Sequence, residues 1–288
     1  MDTLAHSEYF RRFLLATGRS DFSSGAERVS IAMAEKCGAT LIGMTMVFSN
    51  PELDAIAPER AEVADEDACN YLDRLAADCA QRNVAFEPLV RHGSEPADEI
   101  VATADEVAAD IIVMGRRGQR GLARLMVGHA TARVVGYAHC SVLVVPRGGQ
   151  MWQRRILLAT DGSRFSDAAA EIAQMMAREC NLPVTVISTI REVFSPERAR
   201  EAVDAAERTT AAFRQAGIET ETTVLQGDPE ERIVEIAAAR DVDLIIMGTH
   251  GRTGFQRALL GSVTERVIGA TRWPVLAVKL QSRAEARD

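Results

Sequence analysis

The chain has 288 residues, enough for two domains of ordinary size. Apolar residues make up 47% and charged residues 26%, a globular composition rather than a disordered one. The net charge of −8 leaves no basic footprint for nucleic acid and makes an anionic membrane surface repulsive, so neither is an expected partner.

In chain order, Met1–Phe10 carries charged and polar residues and no apolar core of a signal peptide, and no apolar run approaches the ~20 residues of a membrane span. A cytoplasmic location is the expectation. Phe13–Thr17 reads as a buried strand and ends at Gly18. An acidic stretch follows at Pro51–Asp67, and Ser94-Glu95-Pro96 marks a helix start. Ile111–Gly115 is a second buried strand, opening Gly115-Arg116-Arg117-Gly118 and, nine residues on, Gly128-His129. Val142–Val145 is the last strand before the turn-rich junction Pro146–Gln150. Strands are then expected at Arg155–Thr160, Val184–Ile190, Glu219–Leu225, Asp243–Met247 and Val275–Lys279. Helices are expected at Arg164–Cys180, Pro196–Ala216, Glu230–Arg240 and Ala258–Ala270. Asp228-Pro229-Glu230-Glu231 has a capping Asp, a Pro at the first helical position and acids in the first turn. The five cysteines, Cys37, Cys69, Cys79, Cys140 and Cys180, are odd in number with no CxxC, which points to reduced, structural thiols.

The second half repeats the first. Phe13–Thr17 recurs as Ile156–Thr160, 143 residues on; Ile111–Gly115 and Val142–Val145 recur as Leu244–Gly248 and Val275–Val278, 133 residues on. The first copy therefore carries ten extra residues, expected within Pro51–Asp67. A repeat of this length is a duplicated domain, not a solenoid unit. Alternating strands and helices, with near-continuous apolar runs such as Leu244–Met247, indicate parallel sheets buried on both faces. The expected fold is α/β: two tandem doubly wound, Rossmann-like domains, 1–148 and 149–288, each with a five-stranded, mostly parallel sheet.

Gly248-Thr249-His250-Gly251 follows a buried strand, and Gly261-Ser262 comes nine residues after Gly251. Glycines let the backbone approach a ligand closely, loop amides and a helix N-terminus face an anion, and the Ser262 hydroxyl adds a donor. Arg252 and Arg257 add positive charge, and no acid lies between Gly248 and Ser262. Asp161, after the first strand of this copy, would reach the same sheet edge, as a ligand acceptor or as a helix cap.

These residues resemble the ATP-binding signature of the universal stress protein family, Gly-x2-Gly-x9-Gly-Ser/Thr preceded by an Asp at the end of the first strand. The resemblance covers essentially the whole chain, as a tandem pair. It implies a stress-response regulator holding ATP, with or without magnesium, in its C-terminal domain. Gly248, Gly251, Gly261 and Ser262 would hold the phosphates, with His250 and Arg252 beside them. Asp161 would hold the nucleoside, and backbone near Thr189 would read the adenine edge. It also implies that the two copies pair through their last strands as an internal pseudo-dimer; a homodimer of chains is left open. In the first copy Gly115, Gly118 and Gly128 keep the spacing, but His129 replaces the serine and Gly18 the aspartate. This site is degenerate, with an anion site or a nucleotide-free partner-binding scaffold as the alternatives there.

The sequence lacks Gly-x4-Gly-Lys-Ser/Thr, a nucleotidyl-transferase signature, a nucleophile elbow and a metal-ligand cluster. His250 reads as a hydrogen-bond donor more readily than as an acid. A binding protein with little or no turnover is expected, with a slow ATPase or autophosphorylating enzyme as the alternative.

Overall fold

The computed structural model describes residues 10–50, 56–116, 127–251 and 260–280. Residues 10–50, 56–116 and 128–151 form one compact unit, and residues 152–251 and 260–280 form another.

The first unit runs β1 (Arg12–Thr17), α1 (Ser24–Cys37), β2 (Thr40–Phe48), α2 (Pro58–Gln81), β3 (Phe86–Gly93), α3 (Pro96–Glu106), β4 (Ile111–Gly115), α4 (His129–Tyr137) and β5 (Ser141–Val145). The second runs β6 (Ile156–Ala159), α5 (Arg164–Cys180), β7 (Val184–Ile190), α6 (Pro196–Gln215), β8 (Thr220–Gln226), α7 (Pro229–Ala239), β9 (Leu244–Gly248), α8 (Ser262–Ala270) and β10 (Val275–Val278). Strand order is β3-β2-β1-β4-β5 in the first and β8-β7-β6-β9-β10 in the second, with parallel pairing throughout each. Both units are therefore doubly wound α/β domains with five-stranded parallel sheets.

The apolar runs explain the layering. β4 and β9 are buried along their length, and such strands must be covered on both faces. α5 and α6 pack on the sheet of the second unit, and α7 lies against α8. In the first unit α1 and α2 cover the sheet while α3 lies against α4. The edge strands β3 and β8 are polar and half-exposed, as edges facing water should be. In each unit the order reverses beside the first strand, between β1 and β4 and between β6 and β9. That reversal opens a crevice at the carboxyl ends of the strands.

Three local differences from the sequence reading have physical causes. α8 begins at Ser262 rather than Ala258, because Gly261 is its N-cap and binds back to the loop. Asp228 precedes α7 but makes no side-chain cap; it pairs with Arg191 at 2.8 Å. Of the acidic stretch Pro51–Asp67, residues 51–55 lie outside the described residues, and Pro58–Asp67 forms the first turns of α2. That helix has 24 residues against 20 in α6.

None of the five cysteines forms a disulfide. Burial pushes the Cys79 thiol up to about 11 and the Cys140 thiol up to about 12, so both stay protonated and inert at neutral pH. Among the described residues, no helix is long and apolar enough to cross a membrane.

Candidate functional site

At the end of β6 the chain makes a tight turn. The Thr160 amide still donates to Ile187 O at 2.9 Å, and Gly162 then turns the backbone with φ of +69°. Such a φ costs glycine little and other residues more. Asp161 Oδ1 accepts from the Ser163 amide at 3.0 Å, while Ser163 Oγ accepts from the Ser166 amide at 3.3 Å. Ser163 is thus the cap of α5, and Asp161 is not. The other Asp161 oxygen faces the glycine loop: a Cβ added to Gly251 would lie 2.6 Å from Asp161 Oδ2. A side chain at Gly251 would have to displace that carboxylate.

The loop after β9 is stitched at its neck. The Thr249 amide donates to Val278 O at 3.1 Å, and the Gly261 amide donates to Thr249 O at 2.9 Å. Thr264 Oγ1 donates to Gly248 O at 2.8 Å. These bonds place the first turn of α8 over the end of β9, with Ser262 exposed. The His250 ring packs on Phe165 at a centroid distance of 5.3 Å, with Nδ1 3.2 Å from Thr249 Oγ1.

Between these pieces lies a cavity of about 410 Å³, within the range of small-molecule sites. Asp161, Thr189, Gly248, His250, Gly251, Gly261 and Ser262 all line it; Arg252 lies outside the described residues. Asp161 is the only carboxylate among the described lining residues. Ile187, Ala202, Ile233, Met247 and Leu260 make the apolar part. At one end stand the N-terminal amides of α8, where the helix dipole favours negative charge. Sequence reasoning missed Arg191, Phe194 and Arg198, which line the cavity at the start of α6. One signal was legible: Arg198 is a basic residue in the first turn of a helix, where the helix dipole disfavours it.

A family model described as the Universal stress protein family matches residues 9–146 and again 153–279. The chain belongs to the universal stress protein family. A universal stress protein of Methanocaldococcus jannaschii is 36% identical over 146 residues, covering 46% of this chain and 86% of that protein. One of Mycobacterium tuberculosis is 26% identical over 226 residues, covering 72% and 69%. The crystal structure of a universal stress protein from Archaeoglobus fulgidus superposes with a TM-score of 0.75 over 94% of this chain and 97% of that one. At 20% identity it speaks to the fold alone.

The first family domain treats the matching region differently. Strand register makes Met46 the counterpart of Thr189. The Arg19 guanidinium reaches it: Nη2 lies 3.5 Å from Met46 O, and Nη1 donates to Ala64 O at 3.3 Å. Arg19 holds a φ of +53°, unusual for a side chain of its size. Beside it Glu27 Oε1 accepts from both Thr17 Oγ1 and Tyr71 Oη at 2.6 Å. Gly18, in the place of Asp161, donates its amide to Ser23 Oγ at 2.9 Å. Gly128 caps α4 with no described residue within 4 Å of an added Cβ, and Gly115 is crowded by the Phe22 carbonyl. Gly118 lies outside the described residues. Burial lowers the pKa of Arg116, the one described arginine of that loop.

Burial and the Glu27 bond push the Tyr71 hydroxyl up to about 12. A raised pKa means the neutral phenol is the form the fold favours. Its contribution is whole below the ordinary tyrosine value near 10 and is lost as pH rises through about 12. An absorbance titration at 295 nm should show a phenol ionising near 12 that falls only part of the way back toward 10 in Glu27→Ala, because burial remains; a Tyr71 titrating normally in the unsubstituted chain would rule the cluster out.

Proposed function

We propose that the second domain binds ATP and that the protein acts as a nucleotide-responsive regulator rather than a catalyst. The carrying observation is one cavity that joins an anion-binding end, at Gly251, Gly261 and Ser262, to a carboxylate and strand end suited to a nucleoside, at Asp161 and Thr189. The amides and the Ser262 hydroxyl take the phosphates. Asp161 accepts from ribose hydroxyls, and backbone near Thr189 meets the adenine edge. His250 and Arg252 border the phosphates as donors. A magnesium ion accompanying the nucleotide has one described carboxylate beside it, Asp161. His250 is packed on Phe165, and no described side chain in the loop is placed as a general base, which supports binding without rapid turnover. Binding regulates by favouring one conformation or partner surface over another.

The same reading assigns residues 1–148 to a domain with a degenerate site (Gly115, Gly118, Gly128) and residues 149–288 to the ATP-binding domain. It joins them as an internal pseudo-dimer through their apolar last strands and places the protein in the cytoplasm. For the first domain a specific observation favours a nucleotide-free scaffold: the Arg19, Glu27 and Tyr71 cluster occupies the matching region.

Two measurements test the ATP site. Purified protein should carry adenine nucleotide, seen as excess absorbance at 260 nm and identified by mass. Asp161→Ala should weaken ATP by roughly ten- to a hundred-fold, the cost of about 1.5–3 kcal/mol for one hydrogen bond to a charged group. An Asp161→Ala protein with unchanged ATP affinity would remove the carboxylate from the site.

A further inference from the structure

Resting on the nucleotide reading, we propose that Phe194 and Arg198 form the base-stacking wall of the pocket and so favour a phosphate that carries a nucleobase over one that carries none. Both side chains line the cavity, and both come from the β7 side of it. The phosphate-binding amides come from the β9 side, and β6 lies between, so the two ends are about two strand spacings, roughly 10 Å, apart. The Arg198 guanidinium lies over the Phe194 ring, 4.7 Å from its centroid. A guanidinium over an aromatic face is the arrangement that extends onto a base, since every base presents a π-face.

Three observations separate Arg198 from an ordinary surface arginine. Among the described residues its guanidinium pairs with no carboxylate, in a chain with 41 acids to 33 bases. Its neighbour Arg191 differs, being held by Asp228 at 2.8 Å. Arg198 also sits in the first turn of α6 against the helix dipole, a local cost offset among the described residues only by its contact with the Phe194 ring. Finally, counted back from the helix end, its counterpart in the first domain is Ala64, whose carbonyl receives Arg19. The domain that lacks the arginine on this helix brings a guanidinium of its own to the same place.

The test is equilibrium binding of ATP, adenosine and inorganic tripolyphosphate to the full chain, with circular dichroism confirming the fold of each variant. Arg198→Ala and Phe194→Ala should each weaken ATP and adenosine alike, by roughly ten-fold, the effect of losing one stacking partner. Tripolyphosphate should be unchanged, and Phe194→Tyr should keep the unsubstituted affinities. Equal weakening of ATP and tripolyphosphate by Arg198→Ala would make it a phosphate clamp and overturn the proposal; so would an unchanged adenosine affinity. An unsubstituted chain that binds tripolyphosphate but neither adenine compound would sink the nucleotide reading itself.

Discussion

Replacing Gly261 with valine should abolish ATP binding at any practical concentration, a loss of about 100-fold or more. The cause is the backbone of the loop rather than the space left for the phosphates. A Cβ at Gly261 would stand 2.8 Å from Thr249 O and 3.2 Å from the His250 Cα. Neither atom belongs to a side chain that can swing aside. Thr249 is also pinned from behind, by its amide bond to Val278 O at 3.1 Å. The loop must therefore move away from α8, breaking the 2.9 Å bond from the Gly261 amide to Thr249 O. Moving it takes the donors out of register with an anion. Losing two bonds to a charged group, at about 1.5–3 kcal/mol each, gives at least the stated factor. The fold itself should lose only the ~1–3 kcal/mol of a local overpacking. Calorimetry on a variant with an unchanged circular dichroism spectrum measures the binding; full affinity there would refute the role given to this neck.

Titration should find one ATP per chain, not two. The second domain has a carboxylate, a hydroxyl and an open cavity. The first has Gly18 and His129 in their places, and its strand-end carbonyl at Met46 is already met by Arg19. Glycine spacing alone does not restore what is missing: no described residue lies within 4 Å of a Cβ added at Gly128, so Gly128→Ala should leave both fold and stoichiometry unchanged. Asp161→Ala should act on the single site. Two equivalent sites, or one site lost on changing Gly128 and kept on changing Asp161, would reverse the assignment of the two domains.

Much of the architecture was legible because it is written in runs of adjacent residues. Leu244–Met247 is continuously apolar and buried, and its repeat at Ile111–Met114 revealed the duplication. Strand and helix ends were legible to within a few residues. The largest difference, at α8, is that Leu260 and Gly261 lie before the helix, whose start is set by a bond across the loop to Thr249; Ala258 and Leu259 lie outside the described residues. The membership of the cavity in Asp161, Thr189 and the glycine loop was also legible, because each lies at a strand end and parallel strands share an edge. What was not legible depends on which strands are neighbours and in what register. Arg191, Phe194 and Arg198 enter the cavity only because β7 lies beside β6. The Arg19 contact with Met46 depends on the pairing of β1 with β2, and no spacing rule encodes it.

The guanidinium that closes the first domain has a thermodynamic consequence. A tethered group is present at an effective concentration that dilution does not change, so on the nucleotide-free reading proposed for that domain its stability does not follow the nucleotide pool. The second domain, on the reading proposed here, gains stability by mass action, about 4 kcal/mol when free ligand stands at 1,000 times its dissociation constant. Its margin against unfolding then follows the energy charge of its surroundings. On that reading, a falling nucleotide supply lowers the stability margin of one half of the duplicated chain and leaves the other unchanged.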